Sequence, residues 1–285
     1  MDKMHCSTKA DGEPDGAYIA AVGFKTGADN YEKGRPSYTA EAVDYVVSEV
    51  AAVAKSRPES TGTTKYNVVE LGAGTGKLTE VLCKKLPESC RYLALEPSQE
   101  FHDTMAAKNL GVDTVVGDAG AIPVEDGSAE NVVCAQSFHW FADKEYLEEI
   151  RRVLVPGGRL MIVMNWKLFE RDWMKPIYEQ RKKVYARTGS SLKFLINSKQ
   201  WQRDIKDSPL FSFKEHLSLP GIEFRGDVEK ILQNLTTTSA YNMLPKEEQE
   251  AYLNELRQIL RSWPGLDLND LSIPFSSEIY TYIAQ

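Results

Sequence analysis

The sequence predicts an α/β fold in which a doubly wound, mostly parallel sheet of seven strands carries a helical insertion near its C-terminal strands. Short apolar runs alternate with amphipathic segments from residue 67 to residue 165. The runs are apolar throughout rather than at every second position, which is typical of strands covered on both faces. In the run VVELGAGTGKLTEVL, Val68 to Leu82, a strand, a glycine-packed turn and the start of a helix follow one another.

The first half of the chain supplies three strands and three helices. A helix is predicted over 39–54, with Thr39 as its N-cap and valines at helical spacing. A second helix begins at Lys77, and Ser98 caps a third. Strands are predicted at 67–71, 91–96 and 113–117.

The second half completes the sheet. A helix begins at Asp143, and the turn VPGG, Val155 to Gly158, ends it before the next strand. The helix from Pro245 to Ser262 has proline first, acids early and arginines late, and we place it in an insertion between two closing strands. Strands are predicted at 131–136, from 159, at 211–219 and at 274–284.

Composition argues against several classes of protein. The chain has 285 residues, 42% of them apolar, which suits one large core, and no apolar run approaches the ~20 residues of a membrane span. No signal-peptide core is present, so we expect a cytoplasmic protein. A net charge of −7 disfavours nucleic-acid binding, which depends largely on phosphate neutralisation. Four scattered cysteines and four histidines suggest no metal site.

The glycine turn allows two kinds of cofactor. Gly72, Gly74 and Gly76 alternate across it, so a ligand can approach the backbone without a Cβ in the way. A dinucleotide site has the spacing G-x-G-x-x-G, whereas Lys77 stands where its third glycine would fall. Glu96, 20 residues past Gly76, is placed to accept hydrogen bonds from ribose hydroxyls, which both kinds of cofactor contain. Glu96 therefore does not discriminate between them.

The segments that follow resemble a known family. ELGAGTG, LEPS, GDA, IP, DGS and VLVPGG occur in the order usual for class I S-adenosylmethionine-dependent methyltransferases, and the similarity covers residues 28–165. The resemblance implies S-adenosylmethionine as cofactor and a Rossmann-like core. It divides the chain into a mobile N-terminal arm (1–27), the cofactor-binding core (28–165), and a helical substrate or lid region with the closing strands of the same domain (166–285).

The resemblance also implies roles for individual residues. Under the amino-acid end of the cofactor it places Glu70, Gly72, Ala73 and Gly74. Glu96 would hold the ribose and Pro97 would pack on the adenine, while Asp118 and Ala119 would read the adenine edge. Gln136 and Ser137 would lie under the methyl donor, where the fourth strand ends.

A segment ahead of the first strand resembles a narrower group. The string DNYEKGRPSYTAEAV is similar to an element of the trans-aconitate and cantharidin methyltransferase-like proteins that covers the cofactor. Tyr31 and Arg35 thereby become candidates for binding the cofactor's carboxylate, for which a guanidinium is well suited. The alternative is a helix-entry turn in which Pro36 and Tyr38 only pack.

Two further segments concern the methyl acceptor. In SFHWF, His139 is a candidate base or hydrogen-bonding group and Trp140 a candidate apolar wall, although a histidine beside aromatic rings is more often structural. Residues 171–206 carry ten Lys or Arg against three acids, which indicates either an amphipathic helix with a solvated face or a lid that attracts a carboxylate.

These observations lead to one expected activity and its alternatives. We expect methyl transfer to a small-molecule acceptor, with a carboxylate acceptor giving a methyl ester. N- or O-methylation of another small metabolite, an NAD(P)-dependent oxidoreductase, and a cofactor-binding module without catalysis are the alternatives.

Overall fold

The computed structural model describes residues 20, 23–25, 27–56, 64–188 and 200–285. Most of the arm predicted for residues 1–27 lies outside the described residues, and so do residues 57–63. Among the described residues, no helix is both long and apolar enough to cross a membrane, and no three His, Cys, Asp or Glu side chains form a metal-binding group.

The main sheet has seven strands in the order β3-β2-β1-β4-β5-β9-β6. Neighbours from β3 to β5 pair in parallel, whereas β9 runs antiparallel to both β5 and β6. The strands are β1 Tyr66–Leu71, β2 Tyr92–Glu96, β3 Asp113–Val116, β4 Ala129–Ala135, β5 Leu154–Lys167, β6 Phe211–Pro220, β7 Phe224–Gly226, β8 Leu271–Ile273 and β9 Phe275–Ala284. The predicted mostly parallel, seven-stranded fold is confirmed.

Helices cover both faces of the sheet. They are α1 Ala28–Gly34, α2 Ala40–Ser56, α3 Lys77–Cys83, α4 Gln99–Ala106, α5 Lys144–Val153, α6 Met174–Arg187, α7 Gln200–Lys206, α8 Val228–Leu235, α9 Ser239–Asn242 and α10 Lys246–Ser262. Val68 packs with α2 and α3 on one face, and its neighbour Val69 packs with α5 and α7 on the other. This alternation explains why β1 is apolar throughout.

The insertion between β6 and β9 builds a second hydrophobic cluster together with α6. Leu256 of α10, Ile231 of α8 and Ile177 of α6 are all fully buried in it. The three-residue strands β7 and β8 pair antiparallel within this insertion. Strands of that length leave no periodic signal in a sequence, which is why they were not predicted.

Two local predictions differ from the structure. The turn VPGG lies within β5, which begins at Leu154 directly after α5, because the β4–β5 register shifts between Ala129 and Asn131 and so accommodates the extra residues. Ser98 occupies the N-cap position of α4 but makes no side-chain cap bond. Its backbone N–H instead donates to the Glu96 carboxylate at 2.9 Å.

Candidate active site

The glycine turn joins β1 to α3 at the carboxyl edge of the sheet. Gly72 and Gly74 have φ of +66° and +62°, in the left-handed region that favours glycine. A Cβ on Gly72 would lie 2.6 Å from the Ser137 Cβ, so this glycine lets the turn pack on the end of β4. Ser137 fastens that contact by donating its hydroxyl to the Leu71 carbonyl at 2.6 Å. In front of Gly74 the space is open.

A crevice of about 440 Å³ opens at this edge. Of the predicted site residues it is lined by Tyr31, Arg35, Glu70, Gly72, Ala73, Gly74 and Gln136. It is also lined by residues that were not predicted to contact a ligand, including Tyr38, Lys77, Asn165 and Phe275. Asn165 ends the apolar part of β5 and Phe275 begins β9, and neither carries a sequence signal for binding.

Glu70 is fully buried beneath the crevice. Its Oε2 accepts hydrogen bonds from the Thr79 and Tyr92 hydroxyls, both at 2.6 Å. Burial raises the pKa of the carboxyl to about 7, although these two hydrogen bonds act in the opposite direction. Its Oε1 is buried without a hydrogen-bond partner.

Gln136 supplies a second unpartnered acceptor on the crevice wall. Its backbone has φ of +59°, which is uncommon for a residue other than glycine. The side-chain Nε2 donates to the Asn165 carbonyl at 2.7 Å, and the Oε1 is buried without a partner. Two unpartnered acceptors in one crevice, Oε1 of Glu70 and of Gln136, favour a ligand that carries a cationic donor such as an ammonium group.

Arg35 adds a positively charged hydrogen-bond donor to the same crevice. Its Nη2 donates to the Thr237 carbonyl at 2.6 Å, and its guanidinium lies 5.1 Å from the centre of the Tyr31 ring. Its Nε is buried without a partner. The crevice therefore offers acceptors and a cationic donor, which fits the ammonium and carboxylate of a zwitterionic amino-acid group.

Glu96 ties the turn to β2. Its carboxylate accepts hydrogen bonds from the Gly74 N–H at 2.7 Å and from the Ser98 N–H. Burial raises its pKa to about 7, against those two hydrogen bonds. The Glu96 side chain lies beside the crevice rather than on its wall.

The remaining residues predicted to contact adenosine follow the ends of β2 and β3. The Gly117 N–H donates to the Glu96 carbonyl at 3.2 Å, which brings the segment with Asp118 and Ala119 beside Glu96 and Pro97. Asp118 accepts from the Gly120 N–H at 2.8 Å, and Ala119 is buried. None of these three predicted adenine contacts, Pro97, Asp118 or Ala119, lines the crevice.

The SFHWF segment forms a short 3-10 turn, Phe138–Trp140. His139 is buried with its Nδ1 unpartnered, and burial, with the Arg35 charge adding to it, lowers the pKa of the imidazole to about 3. The ring is therefore neutral at pH 7. Trp140 packs against His139, with ring centres 4.7 Å apart, and against Phe24 at 6.3 Å. His139 and Trp140 do not line the crevice.

A second cavity of about 680 Å³, here called the basic cavity, adjoins the crevice. The two share Arg35, Asn165 and Phe275. Its other cationic side chains are Lys167 at the end of β5 and Arg181 and Lys182 on α6. Arg181 and Lys182 belong to the basic segment noted in the sequence, part of which, 189–199, lies outside the described residues. No feature of the sequence singled out Lys167 as a candidate site residue.

Comparison with known proteins identifies the family. Residues 69–162 match the family model described as a methyltransferase domain. An uncharacterized methyltransferase of Schizosaccharomyces pombe is 32% identical over 262 residues, which cover 90% of this chain and 96% of that protein. The chain belongs to the class I S-adenosylmethionine-dependent methyltransferases.

Other relatives agree with this assignment. An uncharacterized methyltransferase of Mycobacterium tuberculosis is 28% identical over 258 residues, covering 90% of this methyltransferase and 93% of the relative. A solved structure of a type II methyltransferase candidate from Anaeromyxobacter dehalogenans has the same fold, with a TM-score of 0.63 at 18% identity, covering 87% of this chain and 97% of that one. A malonyl-[acyl-carrier protein] O-methyltransferase of Methylococcus capsulatus is 33% identical over 135 residues, 44% of this chain and 48% of its own. Because the chain belongs to this family, its glycine turn is that of a methyltransferase and not that of a dinucleotide-binding oxidoreductase.

Proposed function

We propose that this methyltransferase binds S-adenosylmethionine in the crevice and methylates a carboxylate of a small molecule held in the basic cavity. The observation that carries the proposal is that the two cavities meet at Arg35, Asn165 and Phe275. Two small molecules can therefore be held side by side.

The unpartnered polar atoms support the cofactor assignment. Glu70 and Gln136 would accept hydrogen bonds from the ammonium of the cofactor's amino-acid end, and Arg35 beside Tyr31 would donate to its carboxylate. The wall there includes Gly72, Ala73 and Gly74, and the space in front of Gly74 is open. When bound, the cofactor supplies a methyl group on a sulfonium, and an acceptor oxygen bonds to that carbon as the carbon–sulfur bond breaks with its electron pair left on sulfur.

The adenosine assignments follow the family pattern. Glu96 would accept hydrogen bonds from the ribose hydroxyls, Pro97 would pack on the adenine, and Asp118 with Ala119 would read the adenine edge. Their positions at adjoining ends of β2 and β3 support this arrangement. Ser137 would act indirectly, because its hydroxyl is already engaged with the glycine turn.

A carboxylate acceptor is consistent with the chemistry available. A carboxylate is ionised at pH 7 and needs no proton removed, so holding it in line supplies the main acceleration. His139, with its pKa near 3, is a poor base, which disfavours an acceptor that must lose a proton. The relative named an O-methyltransferase agrees with transfer to oxygen. Trp140 would contribute to an apolar wall around His139.

The test is product identification. The full-length protein is incubated with methyl-labelled S-adenosylmethionine and a metabolite extract, and labelled products are identified by mass spectrometry. We expect a methyl ester, which releases labelled methanol on mild alkaline hydrolysis. A labelled product that resists this hydrolysis would show N-methylation or ether formation and would contradict the carboxylate assignment. Absence of cofactor binding would contradict the whole proposal.

A further inference from the structure

The basic cavity gathers four basic side chains, Arg35, Lys167, Arg181 and Lys182, and has no carboxylate among its described lining residues. Lys182 forms an ion pair with Glu179 at 2.7 Å. In the described part of the chain, neither Lys167 nor Arg181 has a carboxylate within ion-pair distance, and residues 189–199 contain no Asp or Glu. The guanidinium of Arg181 lies 5.7 Å from the Phe169 ring centre and 5.2 Å from that of Tyr185, and its Nη2 donates to the Tyr185 hydroxyl at 3.3 Å. A carboxylate ligand would supply the ion-pair partner that the described residues do not provide.

The unpartnered atoms on this cavity are all donors. The Nε atoms of Arg35 and Arg181 and the Nε1 of Trp166 are buried without a hydrogen-bond partner. None of the unpartnered buried acceptors found among the described residues lies on the wall of this cavity. Each buried donor left unsatisfied costs about 1–3 kcal/mol, so a ligand rich in acceptor oxygens gains affinity by satisfying them.

The aromatic lining of the cavity also limits the shape of the ligand that fits. Aromatic rings of Trp166, Tyr178, Tyr185 and Phe275 surround the donors. Flat apolar groups pack well on such rings, whereas a free inorganic anion would leave the apolar surface uncovered.

We propose that Arg181, Trp166 and Lys167 form the receptor for the acceptor's anionic group, that this group is the carboxylate of a flat apolar acid, and that Lys167 takes up a proton when the acid binds. The inference rests on the proposed function for the identity of the site as an acceptor site. The three receptor residues, the flat apolar acid as ligand and the proton uptake by Lys167 go beyond that function.

The proton uptake follows from the groups around Lys167. Arg35 faces it from the C-cap of α1, and α6 presents Arg181, Lys182, Tyr178 and Tyr185, with no carboxylate among these five lining groups. Burial lowers the pKa of Lys167 well below its ordinary value, and the charges of Arg181 and Arg35 lower it further. A bound carboxylate opposes both effects and raises the pKa of Lys167, so the complex takes up a proton from solvent at any pH between the pKa of the empty cavity and that of the filled one. The affinity for the acid should accordingly fall as pH rises between the pKa of Lys167 in the empty cavity and that in the filled one.

Calorimetric titration of the full-length protein tests this receptor with trans-cinnamate and its uncharged isostere trans-cinnamamide. Titrations in two buffers with different heats of ionisation measure the protons taken up. We expect wild type to bind cinnamate at least tenfold more tightly than the amide, with net proton uptake, because a charge-assisted hydrogen bond contributes about 1.5–3 kcal/mol. Tighter binding of phenyl phosphate than of cinnamate would overturn the carboxylate assignment.

Variants assign the residues. Arg181→Gln should weaken cinnamate binding about tenfold while changing amide binding little, and Lys167→Gln should abolish proton uptake. Lys175→Gln is the matched control, since Lys175 lies on the same helix, is paired with Asp172 and does not line the cavity. Equal affinity of wild type for acid and amide, or equal loss for both probes in Arg181→Gln, would overturn the inference.

Probe selectivity and cofactor binding separate this inference from a structural role and from the proposed function. Arg181→Gln removes a hydrogen bond to Tyr185 and two ring contacts, so a fall in melting temperature is expected in either case; a structural role predicts equal loss of affinity for acid and amide, whereas the receptor role predicts loss for the acid alone. If S-adenosylmethionine binds but the acid shows no preference over the amide, the receptor is wrong and the proposed function stands. If the acid behaves as expected but the cofactor does not bind, the proposed function is wrong and the anion site stands.

Discussion

At the scale of single residues, three groups in or beside the crevice are held in states that are unfavourable in isolation. Glu70 and Glu96 are carboxyls whose pKa burial raises to about 7, and Gln136 has a left-handed backbone. Such features persist when the surrounding structure over-determines them, and they cluster at functional sites. All three lie at the carboxyl ends of strands, where the fold brings separate segments together.

The raised pKa of Glu70 predicts a pH-dependent stability difference. The carboxyl has an ordinary pKa of 4.5 and one of about 7 in the fold, so its stabilising contribution is complete below 4.5 and is lost as pH rises through 7. Glu70→Gln should therefore gain roughly 2 kcal/mol in unfolding free energy relative to wild type between pH 5 and pH 8. Urea unfolding across this range measures the difference. Glu88→Gln, at an exposed position, is the control, and a difference for Glu70→Gln that does not change with pH would contradict the burial argument.

Gly74 and Gly111 form a natural matched pair. Both have positive φ, and neither has an atom within 4 Å of an added Cβ. Alanine at either position should lower the unfolding free energy by about 1 kcal/mol, because each forces a left-handed conformation on a residue with a side chain. Only Gly74→Ala should also weaken cofactor binding, by at least about tenfold in Kd (~1.4 kcal/mol), since its Cβ projects into the open space before the turn. Equal cofactor affinity in both variants would show that the ligand does not approach Gly74.

Glu96→Ala tests the ribose assignment. Loss of the carboxylate should weaken S-adenosylmethionine binding by at least about tenfold, because hydrogen bonds to a charged group contribute roughly 1.5–3 kcal/mol. Calorimetric titration measures the change, with Asp103→Asn, an exposed carboxylate on the following helix, as the control. Unchanged affinity would show that Glu96 only holds the glycine turn.

Residues from one local motif were predictable, and those from distant segments were not. Glu70, Gly72 and Gly74 belong to a single strand and turn, and the family resemblance of that motif singled them out as candidates; the structure brings all three to the crevice wall. Lys167 and Phe275 come from the end of β5 and the start of β9, and they meet only because these strands pair antiparallel, Lys167 opposite Phe275. No local pattern in the sequence encodes that meeting.

At the scale of elements, α1 connects the core to the insertion. On the core side, Glu32 accepts hydrogen bonds from the Thr75 hydroxyl and from the Lys108 ammonium, the latter at 2.8 Å. On the insertion side, Asn234 donates to the Gly34 carbonyl at 2.7 Å. The short helix thus holds Tyr31 and Arg35 over the crevice.

Weakening one end of this connection should loosen α1 without unfolding the protein. Glu32→Gln removes the charge that pairs with Lys108 and Lys77, so we expect the amides of α1 to exchange hydrogen about tenfold faster. Mass spectrometry of the peptide spanning the helix measures this rate. Asp29→Asn is the control, because among the described residues the ion-pair partner of Asp29 is the exposed Lys33 on the same helix. Exchange that is equally fast in both variants would mean that Glu32 does not anchor α1.

The predictability of elements follows their length and regularity. The helices α2 and α10 and the buried strands of the core other than β5 were predicted to within about two residues, because each buries a periodic or continuous apolar face. The VPGG segment was assigned to a turn, since proline and glycine favour one locally, yet sheet pairing extends β5 through it. Tertiary pairing overrides local preference there.

At the scale of the whole molecule, the insertion has a core distinct from that of the sheet. Leu256 of α10 and Leu95 of β2 are both fully buried, one in each core. Alanine at either position should lower stability by about 2–5 kcal/mol through loss of contacts and a residual cavity. Leu256→Ala should accelerate hydrogen exchange mainly in α8 and α10, and Leu95→Ala mainly in the strands. Identical exchange patterns in the two variants would show that both cores open as one unit.

Because Arg35 lines both cavities, the two proposed ligands would not bind independently. The ligand that binds first would restrict the guanidinium, and each ligand would change the affinity of the other by the same factor. Positive coupling would favour the ternary complex over the two binary ones, and negative coupling would disfavour it.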